Sequence, residues 1–150
     1  MMKYDKYGET DAFVFTDVNT VVNTYHYRAL VLIANIAEVL GNEADYNYFS
    51  ERAAKLKRNF NKQFFDKKRC VYVDGVGNDH ASLHANMFPM AFGLVEKKNV
   101  DKALNFICSR AMACSVYGSQ FLLNGITNLN LFRTGIMRGA QHLLTLFLEN

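Results

Sequence analysis

Two kinds of helical segment alternate along this 150-residue chain, and the alternation limits the fold more than any other feature. Between residues 20 and 40 the only charged side chains are Arg28 and Glu38, and the run ALVLIANIA is apolar on almost every side. A helix of that composition is covered on more than one face. Asn19 is a good N-cap for it and Gly41 a good C-terminal stop.

The next segment, about 43 to 65, has the pattern of a surface helix. Its apolar residues lie three or four apart and form one stripe: Tyr46, Phe49, Ala53, Leu56, Phe60 and Phe64. Its other face carries Glu51, Arg52, Lys55, Lys57, Arg58 and Lys62. The sequence therefore predicts a helix packed on one side only.

The same order occurs twice more. Uncharged helical segments at about 81–92 and 116–126 are each followed by an amphipathic one, near 100–110 and 132–148. Three αα-hairpins of this kind predict one all-α domain over residues 1–150 with inner and outer helices, and at most a short extended segment near 70–73. The buried helices start at unequal intervals, which disfavours a regular repeat array.

Composition narrows the classes of function. The net charge is only +3, so the clusters KLKRNFNK and DKKR favour solvated helix faces over a nucleic-acid site. Three cysteines without CxxC spacing predict reduced thiols. No apolar run resembles a signal peptide or a membrane span, and we expect a cytoplasmic chain with no membrane partner.

The stretch DHASLHANMFPMAFGLV holds the densest group of candidate site residues. His80 and His84 are four residues apart, so on one helix they would share a face, with Asp79 as an N-cap or a third ligand. Three interpretations stay open: structural histidines, sugar contacts, or a metal site. Tyr117 and Gln120, near the start of the third buried helix, either line a pocket or pack in the core.

Acid–base chemistry needs a placed pair of carboxyl groups. Asp74 and Asp79 are the only acids in a glycine-rich loop beside a charge-free helix. The pattern CSVYG does not match the nucleophile elbow of a serine hydrolase. The residues alone therefore supply no secure catalytic group.

Three blocks carry a resemblance to a known family: residues 19–66, residues 73–95 (VDGVGNDHASLHANMFPMAFGLV) and residues 109–126 (SRAMACSVYGSQFLLNGI). They resemble, in the same order, parts of the bacterial α-L-rhamnosidase catalytic domain, a six-hairpin (α/α)6 barrel. The resemblance covers roughly residues 11 to 126. We expect residues 129–150 to depart from the family pattern as a tail.

The resemblance implies a rhamnose-containing glycan as ligand and no cofactor or metal. Relatives of full length are expected to be exported. The family's acid-bearing segment lies upstream of the matched blocks and its general-base Glu downstream, so no catalytic residue is carried over and the chain is expected to be an inactive fragment. The expected sugar contacts are Asp79, His80, His84, Tyr117 and Gln120.

Two further expectations concern partners. A part of a barrel exposes the edge of its inner helices, which predicts a homo-oligomer. The alternative function is a non-catalytic helical module that binds carbohydrate or protein.

Overall fold

A computed structural model describes residues 13–110 and 113–127. This part of the chain consists of five α-helices, one 3-10 turn and one short hairpin: α1 (Thr20–Val39), α2 (Glu43–Phe64), β1 (Phe65–Asp66), β2 (Val71–Tyr72), α3 (Leu83–Ala91), the 3-10 turn (Lys97–Asn99), α4 (Val100–Ser109) and α5 (Val116–Thr127). The all-α class is confirmed, and the extended segment expected near 70–73 is β2. The helix expected at 132–148 and the tail at 129–150 lie outside the described residues.

The first hairpin forms where its capping residues predict. The Asn19 side chain accepts a hydrogen bond from the Val22 amide at 3.1 Å, which satisfies one of the open donors of α1. Gly41 ends the helix with a φ of +70°, a conformation that strongly favours glycine. Asn42 then caps α2 by accepting from the Asp45 amide. α2 packs along α1 as its partner in an αα-hairpin.

The N-terminus of helix α3 differs from the prediction that Asp79 caps it. Its N-cap is Ser82, whose hydroxyl accepts from the Ala85 amide at 3.1 Å; Asp79 does not cap it. Because the helix begins only at Leu83, His80 precedes it. The two histidines therefore do not stand one turn apart on a common helix face, as the i, i+4 argument required.

The hairpin β1–β2 connects α2 to this region. Phe65 pairs with Tyr72 and Asp66 with Val71 in antiparallel register. On the edge of β2 away from β1, the buried Asn86 side chain binds both backbone groups of Tyr72. It accepts from the Tyr72 amide at 2.8 Å and donates to the Tyr72 carbonyl at 2.9 Å. A side chain of α3 thus completes the hydrogen bonding of the strand.

A close backbone approach joins the loop after β2 to the segment before α1. Gly75 forms an antiparallel bridge with Asn19. A Cβ atom added at Gly75 would lie 2.7 Å from the Val18 carbonyl oxygen and within bonding distance of the Thr16 hydroxyl. Only glycine fits there without moving the chain.

The core lies between α2, β2, α3, α4 and α5, and its members include Phe60, Phe64, Tyr72, Leu83, Met87, Phe88, Leu94, Ile107 and Leu122. Gly125 brings α5 close to α3, since a Cβ there would stand 3.3 Å from the Ala91 amide nitrogen. Tyr25 of α1 packs against Phe88, Phe92 and Phe121, with ring centroids 5.1 to 6.2 Å apart.

α1 is covered on more than one face, as its composition predicts. It is buried toward α2 and toward the core, but several large apolar side chains remain exposed on it: Val22, Leu32, Ile33, Ile36 and Val39. None of the described helices combines the length and the apolar character that crossing a membrane requires.

Candidate substrate-binding site

The loop before α3 is organised by one fully buried carboxylate. Asp74 has no exposed surface, and Oδ2 accepts hydrogen bonds from the Val14 amide at 2.8 Å and His80 Nδ1 at 2.7 Å. Oδ1 accepts from the Ser82 amide at 2.9 Å. Buried carboxylates are tolerated when such donors replace water. Asp74 therefore holds the loop together and does not face a solvent-filled cavity.

The backbone around Asp74 extends this connection to α1. The Thr20 amide donates to the Asp74 carbonyl at 2.9 Å, and the buried Thr20 hydroxyl donates to the Val73 carbonyl at 2.5 Å. The Asp74 amide in turn donates to the His80 carbonyl at 2.9 Å. The first turn of α1 and the loop leading into α3 thus form one hydrogen-bonded unit.

A cavity of about 440 Å³ opens beside this unit, within the size range of small-molecule sites. Seven residues line it: Arg69, Val71, Asp79, His80, Ala81, Phe106 and Arg110. Two of the expected sugar contacts, Asp79 and His80, are therefore brought together here. The remaining polar lining consists of two arginines.

His80 presents one ring edge to this cavity. Its Nδ1 is occupied by the Asp74 carboxylate, which accepts only, so Nδ1 donates. When the ring carries this one proton, Nε2 is an acceptor. The side chain is about one-third exposed, whereas the Asp74 side chain is inaccessible. A carboxylate that fixes the tautomer and orientation of an imidazole prepares the second nitrogen to accept a hydrogen bond from a ligand hydroxyl.

Arg69 and Arg110 are held by backbone carbonyls on the cavity wall. Arg69 donates to the Asp79 carbonyl and Arg110 to the Ala81 carbonyl, the latter at 3.0 Å. The Arg110 guanidinium also lies over the Phe106 ring, 4.9 Å from its centroid. These contacts connect the turn of the β-hairpin and the end of α4 to the loop that carries Asp79 and His80.

A surface carboxylate orients Arg69. Asp66 Oδ2 accepts from Arg69 Nε at 2.6 Å, and Asp66 Oδ1 accepts from the backbone amides of Lys68 and Arg69. The Arg69 side-chain bond, followed by those two amides, lowers the pKa of Asp66 below its usual value. Asp66 is consequently ionised wherever the hairpin is formed near neutral pH.

The other three expected contacts lie elsewhere. His84 is half-buried on α3, with its ring centroid 6.0 Å from that of Phe88. Tyr117 is 82% exposed and Gln120 is exposed, both on α5. The five residues do not line one cavity, and a sugar contact by any of them stays a prediction.

Within residues 13–110 and 113–127, no group of three or more His, Cys, Asp or Glu side chains is placed to hold a metal ion. Asp74 has both oxygens engaged inside the loop, so it does not form an exposed carboxylate pair with Asp79.

The two arginines of the cavity are not among the residues predicted from sequence. Arg69 stands in the basic cluster DKKR, which was interpreted as a solvated surface, and Arg110 follows α4 by one residue. A weak signal existed for Arg69: Asp66 precedes it by three residues, the spacing that lets a turn residue pair with it. No local pattern relates Arg110 to a loop about thirty residues earlier.

The described residues thus form an all-α domain of packed helices, with a polar cavity beside the loop that leads into α3. A family model for the bacterial α-L-rhamnosidase six-hairpin glycosidase domain matches residues 2–137. The chain belongs to this glycoside hydrolase domain family.

A solved structure gives the same relationship. The chain is similar to the α-L-rhamnosidase from Dictyoglumus thermophilum, with 27% sequence identity, a TM-score of 0.61 and 71% of this chain covered. The match spans only 12% of the length of that protein. A comparison with curated proteins returned no match.

Proposed function

We propose that this chain contributes a sugar-contacting wall to an α-L-rhamnosidase-type domain and binds a rhamnose-containing glycan at the cavity beside His80. The observation that carries the proposal is the His80 ring, fixed by buried Asp74 and facing a cavity of about 440 Å³. Deoxysugars present both hydroxyl groups and an apolar face. His80 Nε2 and the Asp79 carboxylate would accept hydroxyl hydrogens, while Val71 and Phe106 supply apolar surface.

The same proposal holds that the 150-residue chain has no glycosidase activity alone. An inverting glycosidase needs an acid and a base on opposite sides of the scissile bond. Within residues 13–110 and 113–127, Asp79 is the only carboxylate that lines the cavity, and Asp74 is engaged in three internal hydrogen bonds. One exposed carboxylate does not supply both functions.

A chromogenic rhamnoside assay tests inactivity. We expect no turnover above buffer for the chain, and none for the Asp79→Asn variant. Turnover that disappears in Asp79→Asn would overturn the proposal that the chain is inactive. Turnover that survives it would overturn the proposal as well, and would place the reacting carboxylate outside this cavity.

Binding is tested by titrating a neutral rhamnose oligosaccharide while recording amide shifts by NMR. We expect shifts around Asp79 and His80, and about tenfold weaker binding in His80→Ala, the value of one good hydrogen bond. His26→Ala, on exposed α1, is the matched control and should bind normally. Asp79→Asn is a second test that leaves the Asp74–His80 bond intact.

Helix α5 is the alternative location for the bound sugar. If Tyr117→Ala or Gln120→Ala removes binding while Asp79→Asn and His80→Ala do not, the sugar lies on α5 and the cavity assignment is wrong. Binding without turnover also fits the alternative function, a non-catalytic carbohydrate-binding module.

We propose in addition that the chain self-associates through α1. The supporting observation is the exposed apolar stripe of that helix, where Ile36 is 59% and Val39 86% exposed. Isolated exposed apolar residues are ordinary, but a continuous helical stripe marks an interface. A second copy with the same stripe would cover it through a two-fold contact.

Light scattering tests the association. We expect a dimer at micromolar concentration and a monomer for Ile36→Lys. Leu123→Lys, a similar change at an exposed position on α5, is the control and should remain dimeric. A monomeric wild-type chain would contradict the proposal, and so would a dimer that Leu123→Lys alone disrupts.

A further inference from the structure

The side of the molecule formed by α2, the β-hairpin turn and α4 concentrates positive charge in a second cavity. It measures about 450 Å³ and is distinct from the cavity beside His80. Five cationic side chains line it: Arg58, Lys62, Lys67, Lys98 and Lys102. We call this surface the basic cavity. Its cations come from four separate elements of the fold, so no single helix pattern accounts for it.

The charge balance shows how uneven the distribution is. One acid, Glu96, lines the basic cavity, so its net charge is 5 − 1 = +4, compared with +3 for the whole chain. The remainder of the chain therefore carries −1. Glu96 is bound to Lys98 at 2.8 Å, so among the described lining residues the other four cations have no acidic partner inside the cavity.

The concave shape strengthens this field. Like charges that line a depression with protein walls focus their potential and attract a counter-charged ligand. The four lysines and one arginine keep exposed side chains, so their ammonium and guanidinium groups stay hydrated until a ligand arrives. Holding five like charges together has a cost, and a bound anion relieves it.

Asn61, a buried polar residue that lines the basic cavity, has its side chain engaged in hydrogen bonds within the protein. Asn61 donates to the Lys57 and Leu94 carbonyls at 2.9 Å, and its Oδ1 accepts from the Tyr72 hydroxyl at 2.5 Å. The Phe65 ring packs against Tyr72 with centroids 5.0 Å apart. Among the described lining residues Phe65 is the single aromatic side chain and is half-buried, so the cavity offers cations to a ligand but no row of aromatic rings on which successive nucleobases could stack.

We infer that the basic cavity binds the carboxylate groups of an acidic polysaccharide, a uronate-containing stretch of the same glycan that the chain contacts with its sugar-binding wall. That the ligand is a glycan rests on the proposed function. That the glycan is acidic rests on the cluster of cations. Lysine side chains suit it, because they are flexible point charges that can follow carboxylates along a polymer. A nucleic acid is the rival ligand with the same sign of charge.

The probe is a short oligogalacturonate, measured by titration at about 50 mM salt, with its methyl-esterified form as the uncharged counterpart. We expect binding of the acid form, no binding of the ester, and marked weakening as salt screens the charges. The double variant Lys62→Glu/Lys102→Glu changes the cavity charge from +4 to 0 and should weaken binding about tenfold or more.

The matched control is Arg52→Glu/Lys55→Glu. It makes the same change in net charge at two exposed positions, both on α2, but these residues line a different cavity between α1 and α2. We expect a loss of less than about threefold from the general change in charge. The double variant Lys62→Arg/Lys102→Arg keeps the charge and should retain binding. Thermal melts of all variants confirm that they fold.

Several outcomes overturn the inference. These are no binding of the oligogalacturonate, equal binding of the ester, or equal losses in the two charge-reversal variants. Tighter binding of a DNA duplex of equal charge would assign the cavity to nucleic acid instead. If the oligogalacturonate binds but a neutral rhamnose oligosaccharide does not, the proposed function fails at the His80 cavity while the basic cavity stands.

Discussion

Helices α1 and α3 look alike in sequence and differ in structure. Both are long runs with almost no charge, yet eight of the nine residues of α3 are buried and only five of the twenty residues of α1. Three described helices and the β-hairpin pack around α3, whereas α1 has α2 on one side and the edge of the core on another. The apolar content of a helix therefore indicates how much of its surface should be buried, and its tertiary neighbours determine how much of that surface is buried.

The largest expected contrast is between side-chain truncations on the two helices. Met87→Ala empties a fully buried site on α3 and should cost about 2–5 kcal/mol of the free energy of unfolding. Val39→Ala, at an 86% exposed position on α1, should stay within about 0.5 kcal/mol. Urea unfolding at low protein concentration, where association does not contribute, measures both. Equal losses would show that α1 is covered in solution.

The next effect concerns the buried Asp74 carboxylate, which connects the segment before α1 to the segment before α3. Asp74→Asn replaces one accepting oxygen by a donor, which leaves buried amides or His80 without their acceptor, and should cost about 2–3 kcal/mol. The control is Asp79→Asn, an exposed carboxylate five residues later, which should change stability by less than about 0.5 kcal/mol. Thermal unfolding with a similar loss in both would mean that Asp74 is not the organising group.

A smaller effect is expected where α1 meets the core. Tyr25→Ala removes ring contacts to Phe88, Phe92 and Phe121 and should cost about 1–2 kcal/mol, because Tyr25 is partly exposed. Tyr25→Phe keeps the ring and should be close to neutral. If Tyr25→Ala is also neutral in chemical denaturation, this face of α1 does not pack on the core as described.

The smallest effect is pH-dependent and involves neither helix. The pKa of Asp66 is lowered in the folded chain, so the ionised form favours folding. Its contribution is fully present above the unfolded pKa, near the usual 3.8, and is lost as the pH falls through the lower folded value. In Asp66→Asn, thermal melts should lose a small stabilisation at pH 7, and the difference from wild type should shrink as the pH falls below 4. A difference that is constant with pH would contradict this account.

Local patterns predicted the helices well because their signals are local. The cap Asn19, the stop at Gly41 and the charge-free run of α3 each act within one or two turns of the chain. The error at Asp79 has a physical reason: both Asp79 and Ser82 are good caps, and the buried Asp74 carboxylate fixes the Ser82 amide so that the helix begins there.

The candidate site was harder to predict from the sequence than the helices were. The structure places His80 at a cavity wall, where its ring bonds Asp74 six residues earlier. Arg69 and Arg110 reach the same loop through the Asp79 and Ala81 carbonyls, contacts that span ten and twenty-nine residues. Tyr117 and Gln120 were grouped with His80 through their place at the start of a buried helix, and their exposure on α5 depends on neighbours that no local pattern encodes.

The two bonds from Asn86 to Tyr72 have a consequence for how the chain avoids unwanted contacts. A strand with an open edge offers its backbone amide and carbonyl to any other extended chain, which leads to strand addition and aggregation. In β2 those groups of Tyr72 are already satisfied by the amide of a single side chain, which imitates the backbone of a missing neighbour. Asn86 therefore seals the edge of the hairpin from within the same molecule.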